Sequence, residues 1–135
     1  MKRTVIIDYD MGNLFSVKQA CDNAGMETIV SKKSSDILNC DGLILPGVGS
    51  FHEAMNQLEK YELIEALRKV VNQNIPLLGI CLGMQLLFTK SEEFENTNGL
   101  NFIDGEVLKF PSHHQKSVTK IPQINWNTIS KIPIS

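Results

Sequence analysis

The sequence predicts an α/β fold, an open and mostly parallel sheet with helices on both faces. Short apolar runs at residues 4–7, 27–30, 43–45 and 75–80 read as strands. Stretches with helical spacing separate most of them, and the loops that follow them are rich in Gly, Asp and Pro. Strand, helix, strand, strand before residue 50 calls for parallel pairing through right-handed crossovers.

In chain order, residues 4–7 (TVII) form a β-branched run that ends at Asp8 and reads as a central strand. The loop DYDMGN follows. Asn13 suits the cap of a helix whose apolar positions Leu14, Val17, Ala20, Cys21 and Ala24 recur at three and four residues, and Gly25 stops it. A second strand spans residues 27–30, a polar connection runs from Ser31 to Asp36, and a third strand spans residues 43–45. Ser50 with Glu53 forms a capping box for a helix through Leu58, and a further helix spans residues 63–71. Residues 75–80 are a strand, and GMQLLF after Cys81 suits a helix that fades at SEEFENTNG. GLNFIDGEVLKF alternates around Asp104-Gly105 like a hairpin, PSHHQKSVTK is a polar loop, and the end reads as short extended pieces.

A chain of 135 residues fits one domain with a real core. A net charge of −2 gives no reason to expect nucleic acid or an anionic membrane as partner. No apolar stretch approaches spanning length, so secretion and membrane insertion are not expected. Three cysteines at wide, irregular spacing suggest neither a disulfide framework nor a metal site, and a reducing cytosol is the natural setting.

One stretch carries chemistry. Gly79-Ile80-Cys81-Leu82-Gly83 is the thiol counterpart of the G-x-S-x-G elbow, in which a strand turns sharply into a helix and lifts the nucleophile out of the packed layer. An unpaired cysteine in an apolar run is ordinarily one more small hydrophobe. The paired glycines and the strand-to-helix switch single this one out. Pro46-Gly47-Val48-Gly49 sits at another strand end, where backbone N–H groups can turn inward toward a developing oxyanion. A dinucleotide fingerprint would place a third glycine where His52 stands, and no Walker lysine is present. A base for Cys81 is harder to find. His52, His113 and His114 are the histidines of the chain, and none is singled out by its setting.

Four stretches resemble one known family: IIDYDMGNLFSV at 6–17, LPGVGSF at 45–51, PLLGICLGMQLLF at 76–88 with SEE at 91–93, and GLNFIDGEVLKF at 99–110. A fainter fifth is KIPQINWN at 120–127. The chain is similar to the class I glutamine amidotransferases, and within them to the glutamine amidotransferase subunit of imidazole glycerol phosphate synthase. The resemblance implies a type 1 amidotransferase domain over residues 1–135 with a flavodoxin-like core. It makes Cys81 the catalytic nucleophile toward glutamine, with Val48, Gly49 and Leu82 supplying the oxyanion N–H groups and Gly47, Gln85 and Glu93 binding the substrate. It also implies a barrel-shaped cyclase as heterodimer partner, facing Asn13 and Trp126. Ammonia passes to that partner to form imidazole glycerol phosphate and aminoimidazole carboxamide ribotide in histidine biosynthesis. No cofactor is implied, and the setting is cytoplasmic.

Two departures from the family pattern shape the expectation. Histidine and glycine are usual for the family in the stretch that here reads Pro122-Gln123-Ile124-Asn125-Trp126, and their replacement is what a divergent copy paired with a cyclase-like partner in surface-polysaccharide synthesis would show. Nothing in residues 111–135 resembles the H-P-E motif that supplies the family's triad histidine and glutamate. The domain is therefore expected to be incomplete at its C-terminus, with an open sheet edge and exposed apolar surface, and weak or inactive alone. Two other readings are a non-catalytic subunit that docks through Asn13 and Trp126, and a cysteine hydrolase with His113 or His114 as base.

Overall fold

Alternation along the first strand divides the core in two: Val5 and Ile7 point to one face of a sheet and Ile6 to the other. The structure, a computed structural model, describes residues 3–110 and 126–131. Strands β1 (Thr4–Ile7), β2 (Thr28–Ser31), β3 (Gly42–Leu45) and β4 (Leu77–Gly79) form a parallel sheet in the order β2-β1-β3-β4. Thr4 lies opposite Thr28 and Gly42, and Leu43 opposite Leu77. This is the flavodoxin-like order, whose direction of winding reverses between β1 and β3, so the loops after those strands flank the crevice where ligands bind in such sheets.

Helix α1 (Leu14–Asn23) covers one face, packing Leu14, Val17 and Cys21 on Ile6 and Ile44. Asn13 caps it as expected, accepting the Ser16 N–H at 3.2 Å. Helices α2 (Ser34–Leu38), α3 (Phe51–Lys60) and α4 (Ile64–Asn72) cover the other face, burying Ile37, Leu58, Leu67 and Val70 against Val5, Ile7, Leu43 and Leu45. Each such fully buried side chain contributes about 1.5–3 kcal/mol relative to exposure, so this face carries most of the core's stabilisation. Among the described residues the first face is less well covered. Beside α1 an apolar groove of about 650 Å³ remains, lined by Val17, Ala20, Met26, Ile44, Leu78 and Ile80.

Three expectations change. The polar connection after β2 contains α2, a single helical turn with one buried apolar residue, Ile37, which is too little to show a period. The helix after Cys81 is likewise one turn, α5 (Leu82–Gln85), and Phe88–Ser91 is strand β5. Tertiary pairing overrides the helical reading there: the carbonyls of Leu86, Leu87 and Phe88 accept N–H groups from residues 100–103. Finally, Asp104-Gly105 is not a hairpin turn. Ile103–Val107 is one strand, β7, parallel to β5, with the register shifting between Phe88 and Lys90 and Gly105 at φ 145°. A glycine inside a strand marks a bulge in this case. The antiparallel hairpin of this second sheet joins β5 to β6 (Thr97–Asn98), in the order β6-β5-β7.

His113, His114 and the rest of residues 111–125 lie outside the described residues, as does most of the fifth family-like stretch. No described helix is long and apolar enough to cross a membrane.

Candidate active site

The turn after β4 is bound to the end of β3. Ile80 N–H donates to the Leu45 carbonyl at 2.9 Å, and the next residue, Cys81, takes φ 54° and ψ −117°. A residue with a β-carbon occupies that region at a cost of about 1–3 kcal/mol, so the surroundings must impose it. They do so by close approach. A β-carbon on Gly83 would fall 1.9 Å from the Leu45 oxygen, and one on Gly79 would fall 2.6 Å from Met84 Cα. Both glycines therefore let backbone meet backbone. Cys81 emerges exposed, and its carbonyl accepts the Met84 and Gln85 N–H groups that open α5.

The loop of residues 46–49 stands against this elbow. A β-carbon on Gly47 would lie 2.7 Å from Gly83 N and 2.9 Å from Leu82 Cβ. Gly49 has φ 118°, a region closed to other residues without strain. Among the described residues the N–H groups of Gly49 and Leu82 have no acceptor, which leaves them available to an incoming anionic oxygen. Val48 differs: its N–H donates to the Met11 carbonyl at 2.8 Å. It can serve an oxyanion only after that bond breaks.

The loop DYDMGN is itself anchored. Asp10, at φ 65°, accepts hydrogen bonds from the Tyr61 hydroxyl and from Lys32 Nζ, and Lys32 lies over the Tyr61 ring at 4.8 Å. The Tyr61 bond, followed by that of Lys32, holds the Asp10 carboxyl below the usual carboxylate range. Tyr9 in the same loop is buried and donates its hydroxyl to the Pro46 carbonyl at 2.6 Å. Burial first, and then the charge of a Cys81 thiolate, push the Tyr9 phenol well above its ordinary range. Sequence reasoning passed over Tyr9 and Met11. The available signal for Tyr9 was its polar hydroxyl at the end of a fully buried strand, which needs a partner.

Other predicted residues are placed as follows. Glu93 accepts the Phe51 N–H at 2.7 Å, so its carboxylate caps α3 directly beyond the 46–49 loop. The capping box itself is half made: Ser50 Oγ accepts the Glu53 N–H at 3.4 Å, but the Glu53 carboxylate turns to Gln57. Gln85 is half-buried on α5. The His52 ring is engaged elsewhere, with Nε2 2.9 Å from Asn56 Nδ2 and Nδ1 3.4 Å from a Glu95 oxygen. Among the described residues no imidazole hydrogen-bonds the Cys81 sulfur. Asn13 lies exposed at the start of α1, and Trp126 is 99% exposed.

The imidazole glycerol phosphate synthase subunit HisH of Lactococcus lactis subsp. lactis is 47% identical over 130 residues, 96% of this chain and 62% of that protein. The subunit of the same name from Bacillus mycoides is 50% identical over 126 residues, 93% of this chain and 58% of that one. The chain thus spans about six tenths of the length of these curated relatives. A crystal structure of a glutamine amidotransferase superposes with a TM-score of 0.66 at 22% identity, over 77% of this chain and 55% of that one, and so shares the fold. The model of the family described as glutamine amidotransferase class-I matches residues 5–128, a range that holds the elbow, the 46–49 loop and the parallel sheet from Val5 onward. This chain belongs to the glutamine amidotransferase class-I family.

Proposed function

We propose that the chain carries the nucleophile and oxyanion side of a glutaminase, the glutamine-hydrolysing part of an imidazole glycerol phosphate synthase. The observation that carries this reading is the exposed, strained Cys81 beside two open N–H groups, on a chain about half identical to HisH subunits. Cys81 as thiolate attacks the carboxamide carbon of glutamine, and the carbonyl electrons move to oxygen. That oxyanion takes hydrogen bonds from Leu82 and Gly49, and from Val48 once it leaves Met11. The C–N bond breaks as nitrogen takes a proton from water, ammonia leaves, and the hydroxide so formed attacks the thioester, giving glutamate and free Cys81. Gly47 lets the substrate approach the backbone, while Gln85 and Glu93 bind its polar groups.

The ammonia goes to a cyclase barrel bound as heterodimer across the face that holds Asn13 and Trp126. There it serves imidazole glycerol phosphate formation in the cytoplasmic pathway to histidine. Removing one oxyanion donor costs about 100- to 1,000-fold in kcat. With Val48 held by Met11, the chain alone is expected to turn over slowly. The test measures glutamine hydrolysis with and without a cyclase-type barrel and its phosphoribulosyl substrate. Turnover should rise about 100-fold in the complex and vanish in Cys81→Ala. Turnover that survives Cys81→Ala rules the reading out.

A further inference from the structure

We propose that Tyr9 is a positioning residue of this site: its buried hydroxyl pins the 46–49 loop to the nucleophile elbow and so fixes where the oxyanion donors stand. Pro46 has no N–H, so its carbonyl is the one backbone polar group by which it can be held. Tyr9 holds that carbonyl at 2.6 Å. Three parts of the site meet at this bond. The position of a β-carbon on Gly47 lies 2.7 Å from both the Tyr9 hydroxyl and Gly83 N, and the Pro46 oxygen lies 2.9 Å from the corresponding position on Gly83. Loss of the hydroxyl leaves a buried carbonyl without a partner and a gap beneath the loop, which then shifts relative to Leu82.

The phenol acts as a donor, not as a base. Burial, aided by a thiolate at Cys81, keeps it protonated throughout the working pH range. The second tie on this loop has the opposite character, because the bond from Val48 to Met11 withholds a donor that the reaction needs. The Tyr9 bond withholds nothing, so it persists while Val48 turns. Pro46 is the fixed point of that movement.

The kinetic side of this proposal rests on the glutaminase reading, so its test has arms that separate the two. Tyr9→Phe retains the ring and removes the hydroxyl. Amide hydrogen exchange at Val48, whose N–H is the bonded one in this loop among the described residues, should quicken about tenfold, while exchange at Val5–Ile7 stays as in the wild type. The kcat for glutamine should fall about 10- to 100-fold, with KM changed by less than about twofold. Alkylation of Cys81 by iodoacetamide forms no oxyanion, so its rate should not change. Unaltered exchange at Val48 overturns the proposal. So does exchange that quickens equally in β1, or alkylation that slows in step with kcat. A wild type that hydrolyses no glutamine in any complex contradicts the glutaminase reading instead, and the exchange arm alone then decides on the pin.

Discussion

Cys81 holds φ 54° because its neighbours leave it no alternative. Gly83 abuts the Leu45 oxygen and Gly79 abuts Met84, so the strain at Cys81 is maintained by backbone packing on both sides. A methyl group on Gly83 must displace a β3 carbonyl rather than a flexible side chain. Gly83→Ala is therefore expected to destabilise the fold by about 3 kcal/mol, a fall of about 10 °C in Tm by calorimetry. Gly25→Ala serves as the contrast: its φ of 72° is unfavourable, but nothing lies within 4 Å of the added carbon. It should cost about 1 kcal/mol. Equal losses in the two variants would show that packing at the elbow is not what holds it. These glycines were legible from spacing alone, because a nucleophile elbow demands both. Tyr9 and Met11 were not, because the 2.6 and 2.8 Å bonds they make join loops 37 residues apart in sequence.

Among the elements, long periodic segments were legible and single turns were not. α1 and α3 carry apolar residues at three- and four-residue spacing and lie within two residues of expectation at each end. α2 and α5 have five and four residues, fewer than any period can reveal. What fixes α2 is partly polar. Asp36 takes hydrogen bonds from Arg3 at 2.8 Å and Ser31 at 2.6 Å, tying the turn to the strands beside it. The Ser31 bond first, and Arg3 after it, hold the Asp36 carboxyl below its usual range. A carboxyl depressed in the folded state adds stability that is present above the unfolded value of about 3.9 and is lost as pH falls through the folded one. Asp36→Asn should therefore flatten the loss of stability below about pH 4, followed by urea denaturation across acid pH. An unchanged acid slope would show that this tie does not stabilise the fold. The second sheet was misread for a different reason. Asp-Gly is a strong hairpin signal in sequence, yet the Gly105 N–H bonds Thr89 Oγ1 at 3.3 Å inside a parallel ladder that only tertiary structure supplies.

On the scale of the whole molecule, the described sheet ends on β4 with one face only partly covered. Leu78 is 56% exposed there and lines the groove beside α1. An exposed apolar groove at a sheet edge favours association. Leu78→Glu should lower concentration-dependent light scattering and leave Tm within about 2 °C, as expected for an exposed position. Scattering that does not change would locate the association elsewhere. The parallel order places the loops after β3 and β4 side by side, as expected of such sheets. The account as a whole stands on Cys81 being a nucleophile built to receive glutamine. The most direct measurement is peptide mapping after treatment with a chloroketone analogue of glutamine, which needs the binding site and the thiolate but no leaving amine. Labelling confined to Cys81, slowed by added glutamine and leaving Cys21 and Cys40 unmodified, is the predicted result. Labelling that glutamine does not slow, or that spreads equally over the three cysteines, would contradict the account.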